Sequence, residues 1–363
     1  MTEAKRAALR ALLERHGLDA LVLSDAANVG WWLDGVRTHV AQLADGGEAI
    51  VVVRRDGEEL RTSESEAPRL REEAFAHAPH ITVLGWWESL MPSFDAEERV
   101  GSDRPDAVAA AQPAHGAVAD LSADLATLRA PLSDAEQDRL RALGGDAATA
   151  LTAALERARD DETEHALAGR TTGLLLERAI EPLCLLVASG ERLPRFRHPI
   201  PTAAPLGERA LVVVCGRRDG LVVSLSRIRA FARPAPRQQD AYRALLEVEA
   251  ALLAGTRAGA RLGDVAQAGR DAYGANGLPA DEWRRHHQGG PCGYTLRDKL
   301  ATPADDDVIA AGQAFAWNPT GGGWKVEDTV VARTAASPEV MTADPAWPTV
   351  EVGGLERPDV LVV

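Results

Sequence analysis

Four segments of this 363-residue chain gather the residue types that do chemistry: LPRFRHPIPT (193–202), ALVVVCGRRDGLVVSLSRIR (210–229), WRRHHQGGPCGYTLRD (283–298) and FAWNPTGGGWKVEDTVV (315–331). Each sets His, Arg, Trp, Cys or Glu beside Gly or Pro punctuation and a strand-like run, where a rigid scaffold tends to hold loop-borne functional groups. His198, on a stretch stiffened by prolines, is a candidate general acid or base. Cys215 ends the apolar run LVVVC. A thiol there is an inert small hydrophobe unless a cation such as Arg217 or Arg218 lowers its pKa and makes it a nucleophile. In WKVEDTVV, strand alternation puts Glu327 on the opposite face from Val326 and Asp328. Arg195, Arg197, Arg217, Arg227 and Arg229 form a basic set in an acidic chain. If two or three converge on one pocket they select a carboxylate or phosphate; otherwise they are scattered surface charge. Arg297 is open to the same two readings, and Trp317, Trp324 and Tyr294 either wall a dry cleft or fill the core.

In this order and spacing, the segments resemble the creatinase, prolidase, aminopeptidase P and methionine aminopeptidase family over roughly residues 130–335. Upstream, GLDALVLSDAANVGWWLDG (17–35) resembles the opening of that family's small N-terminal domain, so the likeness spans nearly the whole chain. It implies an α/β (α+β) fold, with a creatinase-like α/β domain over 1–127 and a pita-bread domain over 128–363. It also implies a site in which two metal ions are bridged by two Asp, one His and two Glu, helped by a further His upstream. That upstream His falls on His198. Counting 17 residues on, the first Asp position holds Cys215, and 11 beyond it the second holds Ser226, although Arg229 and Phe231 keep the strand's ending. The ligand-His position in HHQGGPCGY holds Gly290, with His286 and His287 upstream and Arg297 where the family often has a second His. The first Glu is Asn318, and the second is retained as Glu327.

Hard divalent cations draw on several anionic oxygens, and one carboxylate beside Asn, Ser and Cys does not supply them. The expectation is no dinuclear metal and no cofactor. Creatinase, similar in fold, is metal-independent and hydrolyses a guanidino C–N bond. The resemblance therefore implies a metal-independent hydrolase or lyase acting on a C–N or similar bond of a small anionic molecule. His198 would be general acid or base, Glu327 would assist and Cys215 is the candidate nucleophile. The substrate would be held by Arg195, Arg197, Ser226, Arg229, His286, His287, Tyr294, Arg297, Trp317 and Asn318. Two alternatives stand beside this: a catalytically inactive pita-bread protein that binds a ligand or peptide, and an Xaa-Pro aminopeptidase-like metallopeptidase with a residual metal at Glu327 and His286 or His287. A dead cleft should fill with apolar side chains, whereas here Gly, Ser, Asn and Cys replace the ligands.

These residues need elements to hold them. Ser133, with Glu136 three residues on, reads as a capping box opening a long helix. Helical patterns occupy 134–158, 162–180, 237–255 and 262–275, interleaved with the strand-like runs CLLVAS, ALVVVCG, GLVVSLSRI, AFAWN and EDTVVART, so that helices cover one sheet. In the first domain Ala8, Leu9, Leu12 and Leu13 make a helical stripe ended by Gly17, and DALVLSD follows as a buried strand. AIVVV (49–53) and HITVLGWW (80–87) then alternate with a charged helical stretch over 64–76.

Composition bounds the partners. A 45% hydrophobic content supports a sizeable core, and a net charge of -14 argues against binding nucleic acid or an anionic membrane. Three widely spaced cysteines fit neither a disulfide framework nor a zinc knuckle and point to a reducing compartment. The charged N-terminus is unlike an export signal, and no run reaches the roughly 18 apolar residues of a membrane span. A soluble, cytoplasmic protein with a small-molecule substrate is expected, and the resemblance implies a homodimer.

Overall fold

The computed structural model describes residues 3–42, 46–74, 80–113, 115–334 and 336–362. They form two compact units, one ending at Arg129 and the other beginning at Ala130. No described helix is long and apolar enough to cross a membrane.

The first unit is built on a six-stranded sheet of β1 (Ala20–Asp25), β2 (Gly46–Arg54), β3 (Gly57–Ser63), β4 (Ile81–Leu84), β5 (Val100–Ser102) and β6 (Ala119–Asp120), in the order β4-β3-β2-β1-β5-β6. The helix Glu3–His16 buries Leu9, Leu12 and Leu13, and Gly17 ends it in the left-handed conformation, at φ +62°, that a residue without a Cβ adopts freely. The charged stretch over 64–76 is less regular than its composition implies: only Ala67–Ala74 coils, in two short pieces, and residues 75 and 76 lie outside the described residues. Pro68 explains the late start: with no N–H to bond the residue 64 carbonyl, it fits only the first turn of a helix.

The second unit places its long helices where periodicity put them, at Asp134–Glu156, Glu164–Leu176, Pro236–Gly255 and Leu262–Ala275. The first opens on the capping box, with the Ser133 N–H donating to Glu136 Oε2 at 2.8 Å and the Glu136 N–H donating to Ser133 Oγ at 3.4 Å. Of the two consecutive glycines inside it, otherwise costly in a helix, Gly144 has a packing reason: a Cβ there would lie 2.1 Å from the Met341 carbonyl oxygen.

Two four-stranded sheets carry Cys215, Ser226, Arg229 and Trp317, and the other candidates lie on the segments that adjoin their strands. One contains β7 (Glu181–Ser189), β8 (Arg209–Arg218) and β9 (Leu221–Ala230); the other contains β10 (Gly289–Cys292), β11 (Ala314–Trp317), β14 (Asp328–Val331) and β15 (Glu339–Val340). Between β11 and β14 the chain makes a small ladder of β12 (Thr320–Gly321) and β13 (Trp324–Lys325). A second ladder, β16 (Thr349–Val352) with β17 (Leu355–Pro358), precedes β18 (Leu361–Val362), which joins the β9 edge of the first sheet. The β8–β9 hairpin turns on Asp219-Gly220, both at positive φ, as a two-residue turn matching the strand twist demands. That turn sets the register, so Cys184, Cys215 and Ser224 lie in one row across β7, β8 and β9, and Ser226 faces Val213. The sheets are stitched where the Ser226 N–H donates to the Glu327 carbonyl at 2.9 Å and the Ser224 N–H to Thr329 Oγ1 at 2.7 Å.

Candidate functional site

Alternation through Lys325, Val326, Glu327 and Asp328 sends Lys325 and Glu327 to one side. Glu327, 2% exposed, accepts a 2.8 Å hydrogen bond on Oε1 from Arg297, and the Lys325 ammonium lies 3.5 Å from Oε2. Burial pushes the Lys325 pKa down, with Glu327 opposing the shift. The chain of contacts continues through Ser224, whose Oγ accepts from Arg297 at 3.1 Å and donates to Cys215 Sγ at 3.3 Å. Cys215 in turn shares a thiol hydrogen bond with Cys184. That bond and burial both raise the Cys215 pKa well above its usual value, while for Cys184 the bond lowers the pKa against the opposing effect of burial. Arg217 and Arg218, which would have activated Cys215, are drawn to Glu181 and Asp146 instead. Thiolate chemistry at Cys215 thus lacks the environment it needs.

Beside this cluster three imidazoles meet. His198 is exposed and His286 buried, and their Nε2 atoms are 3.0 Å apart; the His286 and His287 rings stack with centroids 4.3 Å apart. Burial lowers all three pKa values: His286 to about 2, with Lys325 the next cause, and His287 to about 4, with Arg297 the next; for His198, burial and then Lys325 lower it. The lowered values favour the neutral imidazoles, and His198, whose Nε2 faces that of His286, is the ring open to solvent.

Other sequence candidates are committed elsewhere. Tyr294 donates to Glu136 Oε1 at 2.7 Å and so belongs to the capped helix end. Trp317 is core: it stacks on Phe315, and its Nε1 donates to Thr256 Oγ1 at 2.9 Å. Arg197 is paired with Glu282, Arg195 lies over the Phe196 ring, and Arg229 donates to the carbonyls of Leu155 and Glu156, capping the end of a long helix. The basic set does not converge; Arg297 and Lys325 supply the positive charge. Ser226 and Asn318 are buried, and Ser226 Oγ, Asn318 Oδ1, Glu327 Oε2, Arg297 Nε and the Nδ1 atoms of His286 and His287 have no hydrogen-bond partner.

Sequence reasoning missed Lys325, Ser224 and Cys184. Lys325 was within reach, since the alternation that isolates Glu327 from Val326 puts Lys325 on its face. Ser224 was too, because Cys215 and Ser224 are equidistant from the Asp219-Gly220 turn. Cys184 carried no local signal.

At the five positions where the resemblance implies metal ligands, the residues do not fit two ions. Glu327 is the one carboxylate, and it already faces two cations. A Cβ at Gly290 would lie 2.4 Å from the Lys299 carbonyl oxygen, so the backbone has closed over the place a His would use.

Residues 138–334 match the model of metallopeptidase family M24, and residues 5–130 match that of the creatinase/prolidase N-terminal domain. The structure is similar to the prolidase from Pyrococcus horikoshii OT3, with TM-score 0.78 and 16% identity over 94% of this chain and 98% of that one. It is also similar to the X-Pro aminopeptidase from Thermotoga maritima MSB8, with TM-score 0.75 and 14% identity over 100% of both chains. The N-terminal domain of FACT complex subunit SPT16 from Cicer arietinum is similar at TM-score 0.67 and 14% identity, over 93% of this chain and 96% of that one. No curated protein matches the sequence. The likeness to these structures carries the fold; the matched models, which together cover nearly the whole chain, carry the membership: this chain belongs to metallopeptidase family M24, with a creatinase/prolidase N-terminal domain ahead of its pita-bread domain.

Proposed function

We propose that the protein is a metal-independent enzyme, a hydrolase or lyase that cleaves a C–N or similar bond in a small anionic molecule. The observation that carries this reading is the set of buried polar atoms without a hydrogen bond around Glu327: Ser226 Oγ, Asn318 Oδ1, Arg297 Nε and Glu327 Oε2, the last facing only the Lys325 ammonium at 3.5 Å. An unsatisfied buried group costs about 1–3 kcal/mol, so four together argue for a polar occupant rather than an eroded cleft. Arg297 and Lys325 face the single carboxylate of Glu327 in a low-dielectric site, and an anionic group there would offset the burial that pushes the Lys325 pKa down. In this reading Arg297 and Lys325 take over the electrostatic task of the family's two ions. They hold negative charge that develops on the substrate, and His198 moves the proton. Cys215 serves as a link to Ser224 rather than as a nucleophile.

The test is a turnover and thermal-shift screen of chelator-treated protein against small carboxylates, guanidino compounds, amides and Xaa-Pro peptides. The expected result is metal-free turnover of one anionic class, with kcat lowered about 10²- to 10⁴-fold by His198→Ala and lost in Glu327→Ala. Peptide cleavage that appears only with added metal overturns the reading in favour of a residual metallopeptidase. Binding without turnover, unchanged in both variants, overturns it in favour of an inactive binding protein.

A further inference from the structure

We infer that His198, His286 and His287 form a mononuclear site for a transition-metal dication of the zinc class, separate from the family's two-ion position. One ligand atom of each imidazole lies within 4.8 Å of the other two, and the His198–His286 edge measures 3.0 Å. A tetrahedral ion with Zn–N bonds of about 2.0–2.1 Å holds its ligands roughly 3.3 Å apart. One edge of the triangle is thus already near that length, and no edge needs to close by more than about 1.5 Å.

Two further features support a ligand here. The Nδ1 atom of His287 is buried without a partner, so that ring has an unmet bonding position beside the His198 and His286 Nε2 atoms. His198 is exposed, which gives an ion a path in and leaves a fourth position open to solvent. The donor set fixes the metal class: three imidazoles and no carboxylate suit Zn, Cu, Ni or Fe and offer nothing to Mg or Ca. The opposing influence is charge. Lys325 acts on all three rings and Arg297 on His287, with Glu327 the nearest counter-charge. The ion is therefore held reversibly, not as a structural staple. Once bound, it occupies the His198 lone pair and halts the proton transfer proposed above, although the site itself requires nothing of that chemistry.

Untagged, chelator-treated protein titrated with Co²⁺ and then Zn²⁺ reads the site without any substrate. The expected result is one Co²⁺ per chain with visible d–d absorption, no thiolate-to-cobalt charge-transfer band, and displacement by Zn²⁺. His198→Ala and His287→Ala should each weaken Zn²⁺ binding at least about tenfold, while the exposed His165→Ala leaves it unchanged. His198, being exposed, gives a variant whose folding is not in question, and it decides the matter alone should His287→Ala fail to fold. Absence of stoichiometric binding, affinity unchanged in His198→Ala, or a thiolate band placing the ion on Cys184 and Cys215 would each overturn the assignment. None of these results bears on metal-free turnover.

Discussion

Asp328 and Glu327 are consecutive, 1% and 2% exposed, and each meets two cations, yet their surroundings differ in kind. Asp328 Oδ1 accepts from both terminal nitrogens of Arg227 at 3.1 Å and from Thr342 Oγ1 at 2.6 Å, and its Oδ2 accepts from Arg357 at 2.6 Å. Arg357 is further locked by a two-pronged pair with Glu249, at 2.7 and 2.8 Å. Two carboxylates thus face two guanidinium groups, and the charges cancel. Around Glu327 two cations face one carboxylate, and Oε2 has no hydrogen bond. The Asp328 network is balanced in charge and both carboxylate oxygens are bonded, with only Arg227 Nε unpartnered; such a network rigidifies a fold, whereas one in which the carboxylate itself lacks a hydrogen bond and cations outnumber it is what a ligand site looks like before its ligand arrives.

The largest way to break that contrast is Arg357→Met, which leaves Glu249 and Asp328 buried without their shared cation. It should cost about 3–5 kcal/mol in urea-melt stability, and a loss under 1 kcal/mol would mean that the network is not structural.

The open side should show itself in acid. His286 has its folded pKa lowered from 6.5 to about 2, so between those values the unfolded chain binds the proton and the folded one does not. The contribution of His286 is complete above about pH 6.5 and is lost as pH falls below it, at up to about 1.4 kcal/mol per pH unit. In chelator-treated protein, stability should fall by roughly 2 kcal/mol between pH 6.5 and 5 on this account. His286→Gln should flatten that fall, and an equal slope in the variant would refute the assignment.

The smallest effects form a matched pair. Thr342→Val removes the hydroxyl that donates to Asp328 and accepts from the Thr329 N–H, and should cost about 2 kcal/mol. Ser226→Ala removes a buried hydroxyl with no partner and should change stability by less than about 0.5 kcal/mol. If the two costs match, the line drawn here between closed and open networks is wrong.

Much of the frame was legible because its signals are local. The Ser133–Glu136 capping box and the period of the four long helices involve residues a few positions apart, and the structure carries both. The stretch over 64–76 misled because charge and helix-forming composition outweighed Pro68 in the reading.

For the site, the resemblance in sequence implied which residues stand at the family's ligand positions, and strand alternation turned Glu327 away from Asp328. Tertiary structure alone decided that Arg297 and Lys325 close on Glu327, that His198 meets His286 from 88 residues away, and that Arg197, Arg229, Tyr294 and Trp317 are spent on the scaffold. The physical reason is range. Periodicity, caps and turns are set by neighbours along the chain, whereas the partner of a buried charge is whichever group the strand register and sheet stitching carry to it, and no local pattern encodes that choice.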